Sequence, residues 1–536
     1  MPGLLSSWCR RLDGPALSEQ EFVELAEFCA DRDAMLWEHS GPVRVQGRTL
    51  TEMDRASGNY RRGLEQAAYD DPRIEAARVL ELRRMRPPPD QLRVLHRRAH
   101  ATIGELNAAS SAMLSRATGG RVSGAGRRPE AGLGQVLAST SSPRARAKLM
   151  AVWRATRAPF ATALAARWDE LAAAAADTGR SRTAVPDEEL ERYLSNALDA
   201  ALRTADELLT TAAELGFGSA DPAHVHPGLL LAASKPGPLP VIGADQALSV
   251  LRSALTDELG IELSHRRGNG RWQIEVTGPR ISAQAELEFV PWQQGLSSNT
   301  LGCVNRGGST GRAARGWIQC RASSVADGAD AVLSFQHFVS LAHEVGHVIS
   351  HGAMSHDFCA LNSIEDLDPT VLEAVSMACE SIVLSEPVAD ELARAAKTSA
   401  GMVEWTQGGR YVEMCLSRVA TLVASLIELR VGQGSAAVQY ARIAEEHPLV
   451  AGLLPLEDVL VSLLDLPPDG VPNYAYETGR SHAAARTGTF LVEVGDTLSC
   501  PSTADPQGID DEIRRGIRRW AAASRGLRTG QSSASG

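Results

Sequence analysis

The sequence predicts a predominantly α-helical protein with one small β element, and three observations carry that reading. Runs with apolar residues at three- and four-residue spacing fill about the first 235 residues and return from about 329 to 466, many rich in the helix formers Ala and Arg. Strict alternation is confined to three short stretches, 261–265, 272–276 and 285–290. The composition, 44% hydrophobic and 22% charged, is globular and excludes a disordered chain or a disulfide scaffold for the bulk of the molecule.

The elements follow in order. Ser18-Glu19-Gln20-Glu21 is a capping box, and an amphipathic stretch follows it to about Trp37. Further helical runs cover about 71–85, 89–117, 143–178 and 186–216. Pro87-Pro88-Pro89 separates two of these, and the Gly-rich stretch 119–126 separates two more. The texture changes at Lys235-Pro236-Gly237-Pro238, after which a helix at about 244–258 leads into the strands. Gly268-Asn269-Gly270 joins the first two strands as a hairpin turn. A Gly-, Ser- and Arg-rich segment, about 294–316, reads as a binding or mobile loop. Beyond Pro501 one short helix is expected at 509–524, with a disordered tail at 530–536. These shifts divide the chain into 1–240, 241–500 and 501–536.

At roughly 100–200 residues per domain, 536 residues allow two to four domains or one large enzyme. A net charge of -11 argues against a nucleic-acid partner, because phosphate binding requires a basic surface. No apolar run approaches the ~18 residues of a membrane span. The start lacks a basic segment followed by an apolar one, and the eight cysteines include no C-x-x-C pair. Reduced thiols in the cytoplasm are the expectation. No pattern specifies the oligomeric state.

The chemistry is concentrated in Leu341-Ala342-His343-Glu344-Val345-Gly346-His347, which contains H-E-x-x-H. Residues four apart share a helix face, so His343 and His347 can aim both imidazoles at one ion. Glu344 projects beside that ion, where it can accept a proton from an activated water. One zinc ion suits two neutral imidazoles, a carboxylate and an open position. The apolar approach from Val332 to Leu341 suits a buried helix.

The third ligand is found by spacing. A metzincin requires Gly and His seven and ten residues after the first His; Ser350 and Ala353 occupy those places. His351 continues the stripe, but three ligands over eight residues span about 12 Å of helical rise, too far for one ion. His351 is therefore expected behind the ligands or in the core. Asp368 and Pro369 are a good N-cap and first-turn pair for a following helix at 370–385. On it Glu373, Ser376, Met377 and Glu380 share one face. Glu373 is the expected third ligand, and Glu380 the expected partner that orients a ligand histidine.

His343-Glu344-Val345-Gly346-His347 followed by Glu373-Ala374-Val375-Ser376-Met377-Ala378-Cys379-Glu380 resembles the thimet oligopeptidase (M3) family of zinc peptidases. In that family, His-Glu-Phe-Gly-His precedes Glu-x-Pro-Ser-Gln-x-x-Glu by about 25 residues. Val375 and Met377 replace the family's Pro and Gln, and Ser350 stands where a third His is usual. Pro472-Asn473-Tyr474-Ala475-Tyr476 is similar to the family's Tyr-Tyr-Gly-Tyr run, without the His and Gly residues that normally precede it.

The resemblance implies a two-lobed, deep-cleft zincin of the gluzincin type. A helical N-terminal lobe (1–240) would face a catalytic zinc-binding lobe (241–500), with the small β element before the active-site helix. It implies hydrolysis of short peptides or of one peptide-like metabolite, with zinc on His343, His347 and Glu373. Glu344 would be the base, and Tyr476, or else Tyr474, the oxyanion donor. Arg306 and Arg312, in the Gly-rich segment, are candidates for binding a substrate carboxylate. The alternative is a non-catalytic metal- or peptide-binding descendant of such an enzyme; retention of Glu344 speaks against it. Finally, residues 322–393 hold twelve Asp or Glu and no Lys or Arg, so the acidity is focused around the two metal helices.

Overall fold

The computed structural model describes residues 90–118, 142–177, 188–216, 240–268, 271–279, 281–291, 299–304, 314–325, 331–354, 369–430, 433–465, 472–485 and 506–534, with isolated residues before 90 and between 118 and 142. Residues 19–37 of the first expected helix, most of that at 71–85, Asp368, and both Arg306 and Arg312 lie outside them.

The described N-terminal segments are helical, as the periodicity predicts. They comprise α1 (Asp90–Thr118), α2 (Pro143–Arg157), α3 (Ala161–Asp177) and α4 (Glu188–Glu214). The single run expected at 143–178 is two helices joined by the 3-10 turn Ala158–Phe160. Pro159 causes the break, since it lacks the N–H that a continuous helix needs there. Ser142 caps α2 by accepting from the Ala145 N–H at 3.4 Å.

The β element is larger than its three clear alternations suggest. After β1 (Val241–Gly243) and α5 (Ala244–Leu259), the left-handed Gly260 turns the chain into β2 (Glu262–Gly268), β3 (Arg271–Gly278) and β4 (Ile281–Pro291). The segment expected as a loop at 294–316 contains β5 (Asn299–Val304) and the start of β6 (Ala314–Ala322). The five-stranded sheet has the order β2-β3-β4-β6-β5, antiparallel except for the parallel pair β4 and β6. A second, three-stranded sheet joins β1 to β8 (Ala331–Ser334) and β8 to β7 (Ser324–Val325). Val332-Leu333-Ser334, expected within the buried helix, is thus strand. Ala331 and Leu333 are buried and alternate with the half-buried Val332 and Ser334.

Helices then dominate. They are α6 (Phe335–Ala353), α7 (Pro369–Val383), α8 (Glu386–Ala395), α9 (Ala400–Leu429), α10 (Ala436–Glu446), α11 (Pro448–Leu453), α12 (Leu456–Asp465), α13 (Asn473–Ala485) and α14 (Pro506–Ala534). The last runs from Pro506 to Ala534, well beyond the expected 509–524 and through most of the tail expected to be disordered. Ile509, Ile513, Ile517 and Trp520 bury one face of α14, so it is a core helix. One apolar core reaches from Leu92 on α1 to Ala521 on α14, and residues of all three sequence regions meet in it.

α6 crosses the five-stranded sheet, and Gly352 marks the contact. A Cβ on Gly352 would lie 2.9 Å from that of Ala283 on β4. The other side of α6 packs on α7, which packs in turn on α13. Among the described residues no helix is long and apolar enough to cross a membrane.

Candidate metal centre

α6 starts at Ser334, whose hydroxyl accepts from the His337 N–H at 3.3 Å. Two turns on, His343 and His347 stack along one face, with ring centroids 4.8 Å apart and planes at 90°. Between them Gly346 has no side chain, and a Cβ there would lie 2.5 Å from the Ser376 Cα. The missing side chain lets α7 lie directly against the histidine stripe.

That approach delivers the α7 face predicted from its spacing. Ser376 Oγ lies 2.9 Å from His347 Nδ1, and His343 Nδ1 donates to Glu380 Oε1 at 2.9 Å. Both rings are thus held through Nδ1, which leaves Nε2 of each for a ligand. Glu373 stands in front, with its Oε2 3.5 Å from His343 Nε2. One ligand-capable atom from each of His343, His347 and Glu373 lies within 4.8 Å of the other two.

The electrostatics show what the cluster would accept. Glu373 Oε2 is buried with no hydrogen-bond partner, a costly state for a carboxylate. Burial, with Glu344 and Glu380 nearby, pushes the Glu373 carboxyl up to about 7, against His343 and Arg480. Burial alone would depress His343, but the hydrogen bond to Glu380 and the charges of Glu373, Glu380 and Glu344 outweigh it and raise the ring to about 9. His347 moves the other way, driven well below its usual value by burial and then by the charge of His343. The surrounding carboxylates thus favour positive charge at His343. Two imidazoles and an unsatisfied carboxylate oxygen are a donor set that fits a zinc-type ion.

Glu380 belongs to a longer chain of contacts. Burial opposes its ionisation, but the His343 hydrogen bond and Arg480 hold its carboxyl well below the usual carboxylate range. Arg480 comes from α13, with its Nη2 3.4 Å from Glu380 Oε2. Arg480 escaped the sequence reading. A Cβ on Gly479 would lie 3.0 Å from the Glu373 Cβ, so α13 presses on α7 at Glu373. The available signal was the absence of any Lys or Arg from 322–393, which requires a cation from elsewhere in the chain.

The remaining candidates divide. Glu344 is buried on α6 beside His343 and contributes to the charge felt by both His343 and Glu373. His351 is buried at the last turn of α6, outside the metal-capable cluster, and burial lowers its ring to about 3. Tyr474 and Tyr476 lie in the first turns of α13 and are half-buried.

No protein-family model and no curated protein matches the chain. Among solved structures, PZ peptidase A with inhibitor 2 is similar over 97% of this chain and 97% of its own, at 11% sequence identity and a TM-score of 0.49.

Proposed function

We propose that the protein is a zinc-dependent peptidase hydrolysing peptide bonds in short peptides or peptide-like molecules. The observation that carries the reading is the convergence of His343, His347 and Glu373, with an acid left over at Glu344. A spare carboxylate next to the first ligand has no use in a purely structural site. A zinc ion, when bound, would polarise the scissile carbonyl and acidify water.

The chain's own residues supply the rest. Glu380 and Ser376 fix the two imidazoles with Nε2 forward. Glu344 takes the proton of the attacking water and delivers it to the leaving amine. Tyr476, or else Tyr474, donates to the carbonyl oxygen as it gains charge, a contribution of roughly 2.7–4 kcal/mol for donors of this kind. Two lobes, 1–240 and 241–500, would flank a deep cleft that admits short chains, with Arg306 or Arg312 receiving a substrate carboxylate. The cytoplasm is the proposed location.

Metal content and cleavage of a mixed peptide library, measured on the native protein and on Glu344→Gln, test the reading. Metal retained in both with cleavage lost in the variant supports it. Native protein that binds no metal, or a variant that cleaves as fast as native, overturns it.

A further inference from the structure

We propose that Arg480 is a positioning residue of this site, fixing the orientation of His343 through Glu380. The inference rests on the reading of His343, His347 and Glu373 as metal ligands.

The cluster is rich in buried negative charge. Glu344, Glu373 and Glu380 are all buried around the two histidines. The 322–393 segment that carries them contains no Lys or Arg. Their counter-charge must therefore arrive from another part of the chain, because uncompensated buried carboxylates are strongly destabilising. Arg480 supplies one such cation in contact with Glu380, and Arg410 on α9 also acts on that carboxylate.

Geometry narrows the role. Glu380 divides its carboxylate: Oε1 accepts from His343 Nδ1 at 2.9 Å, and Oε2 lies 3.4 Å from Arg480 Nη2. Fixing one oxygen leaves the other in a single direction, so the guanidinium sets the plane of the carboxylate and through it the tilt of the His343 ring. Arg480 is itself held. Its Nη2 lies 2.9 Å from Met377 Sδ, and its Nη1 3.9 Å from Met414 Sδ. The side chain thus spans α7 and α9 while rooted on α13. Gly479, the preceding residue, gives α13 the close approach to α7 that brings Arg480 within reach.

A mere counter-charge and a positioning residue make opposite predictions. Removing a nearby cation tightens the binding of a second cation, whereas releasing an outer partner of a ligand histidine weakens it about 10–100-fold. Cobalt(II) is the probe, because its visible absorption reports ligand geometry. Full-length native protein, Arg480→Met, Arg480→Lys, Glu380→Gln and the Glu380→Gln/Arg480→Met double variant are titrated with cobalt(II), folding being checked by circular dichroism. The expected result is roughly tenfold weaker binding with altered visible bands in Arg480→Met. Partial recovery is expected in Arg480→Lys, with no further loss when Arg480→Met is added to Glu380→Gln. Unchanged or tighter binding in Arg480→Met, or an equal loss with and without Glu380, overturns the proposal. Should Arg480→Met fail to fold, Arg480→Gln is judged by the same criteria. Native protein that binds no cobalt(II) overturns the metal reading itself, which separates the two failures.

Discussion

Gly346 and Ser376 are in backbone contact: a Cβ on Gly346 would lie 2.5 Å from the Ser376 Cα and 2.9 Å from its N. Neither neighbour is the flexible end of a side chain, so Gly346→Ala must separate α6 from α7. Overpacking of this kind costs about 1–3 kcal/mol. The same displacement moves Ser376 and Glu373 away from the histidines. The expected outcome is a lower midpoint in urea unfolding together with weaker zinc binding. A variant as stable as native, with native zinc affinity, would show that the helices do not need this contact.

Ser376 holds His347 as Glu380 holds His343, but without charge. Ser376→Ala should cost only about 1 kcal/mol of stability, the typical worth of one hydrogen bond. Its effect on zinc should be larger, about tenfold in affinity, because the ring loses one of its two outer partners, the other being the Leu372 backbone. Competition against a chromophoric chelator measures this. Equal losses in stability and in binding free energy would reduce Ser376 to a packing role.

What was legible in the sequence was local. His343 and His347 are one turn apart, and Glu373 and Glu380 lie on one face of a helix whose Pro start is visible, so each pair is set by helical geometry alone. Long-range partners left no such trace. Arg480 stands 100 residues after Glu380, and no periodicity links them. The same reason hid β6, whose partner β4 is parallel and non-adjacent, and whose run Ala314-Arg315-Gly316-Trp317 lacks an apolar alternation. β8 is four residues long, too short to declare a period before α6 begins.

The proton on His343 gives zinc binding a pH dependence of known sign. The neighbouring carboxylates hold the His343 ring protonated above the usual imidazole range, and burial raises the Glu373 carboxyl, so near neutral pH these groups carry protons that a cation must displace. A cation needs both groups deprotonated, and binding must expel these protons. Affinity should rise from pH 7 to 9, by about tenfold per pH unit for each proton released. Calorimetric titration at pH 7 in two buffers of different ionisation enthalpy counts the protons directly. Identical heats in the two buffers would mean that no proton is displaced.

The buried ring of His351 ties folding stability to acid pH. Burial lowers its ring to about 3 in the folded protein, against 6.5 for the ordinary side chain. Between these values the unfolded chain binds a proton that the folded chain refuses. The stability contribution is therefore complete above pH 6.5 and is lost as pH falls toward 3, at up to about 1.4 kcal/mol per pH unit. His351→Leu replaces the ring with an apolar group and removes this linkage. Carboxylates also titrate in the window, so the informative quantity is the difference between variant and native. Urea unfolding of the metal-free proteins at pH 7, 6 and 5 should show native stability falling more steeply than that of the variant. Parallel curves would mean that the ring accepts a proton in place, with room to hydrate or reorient it.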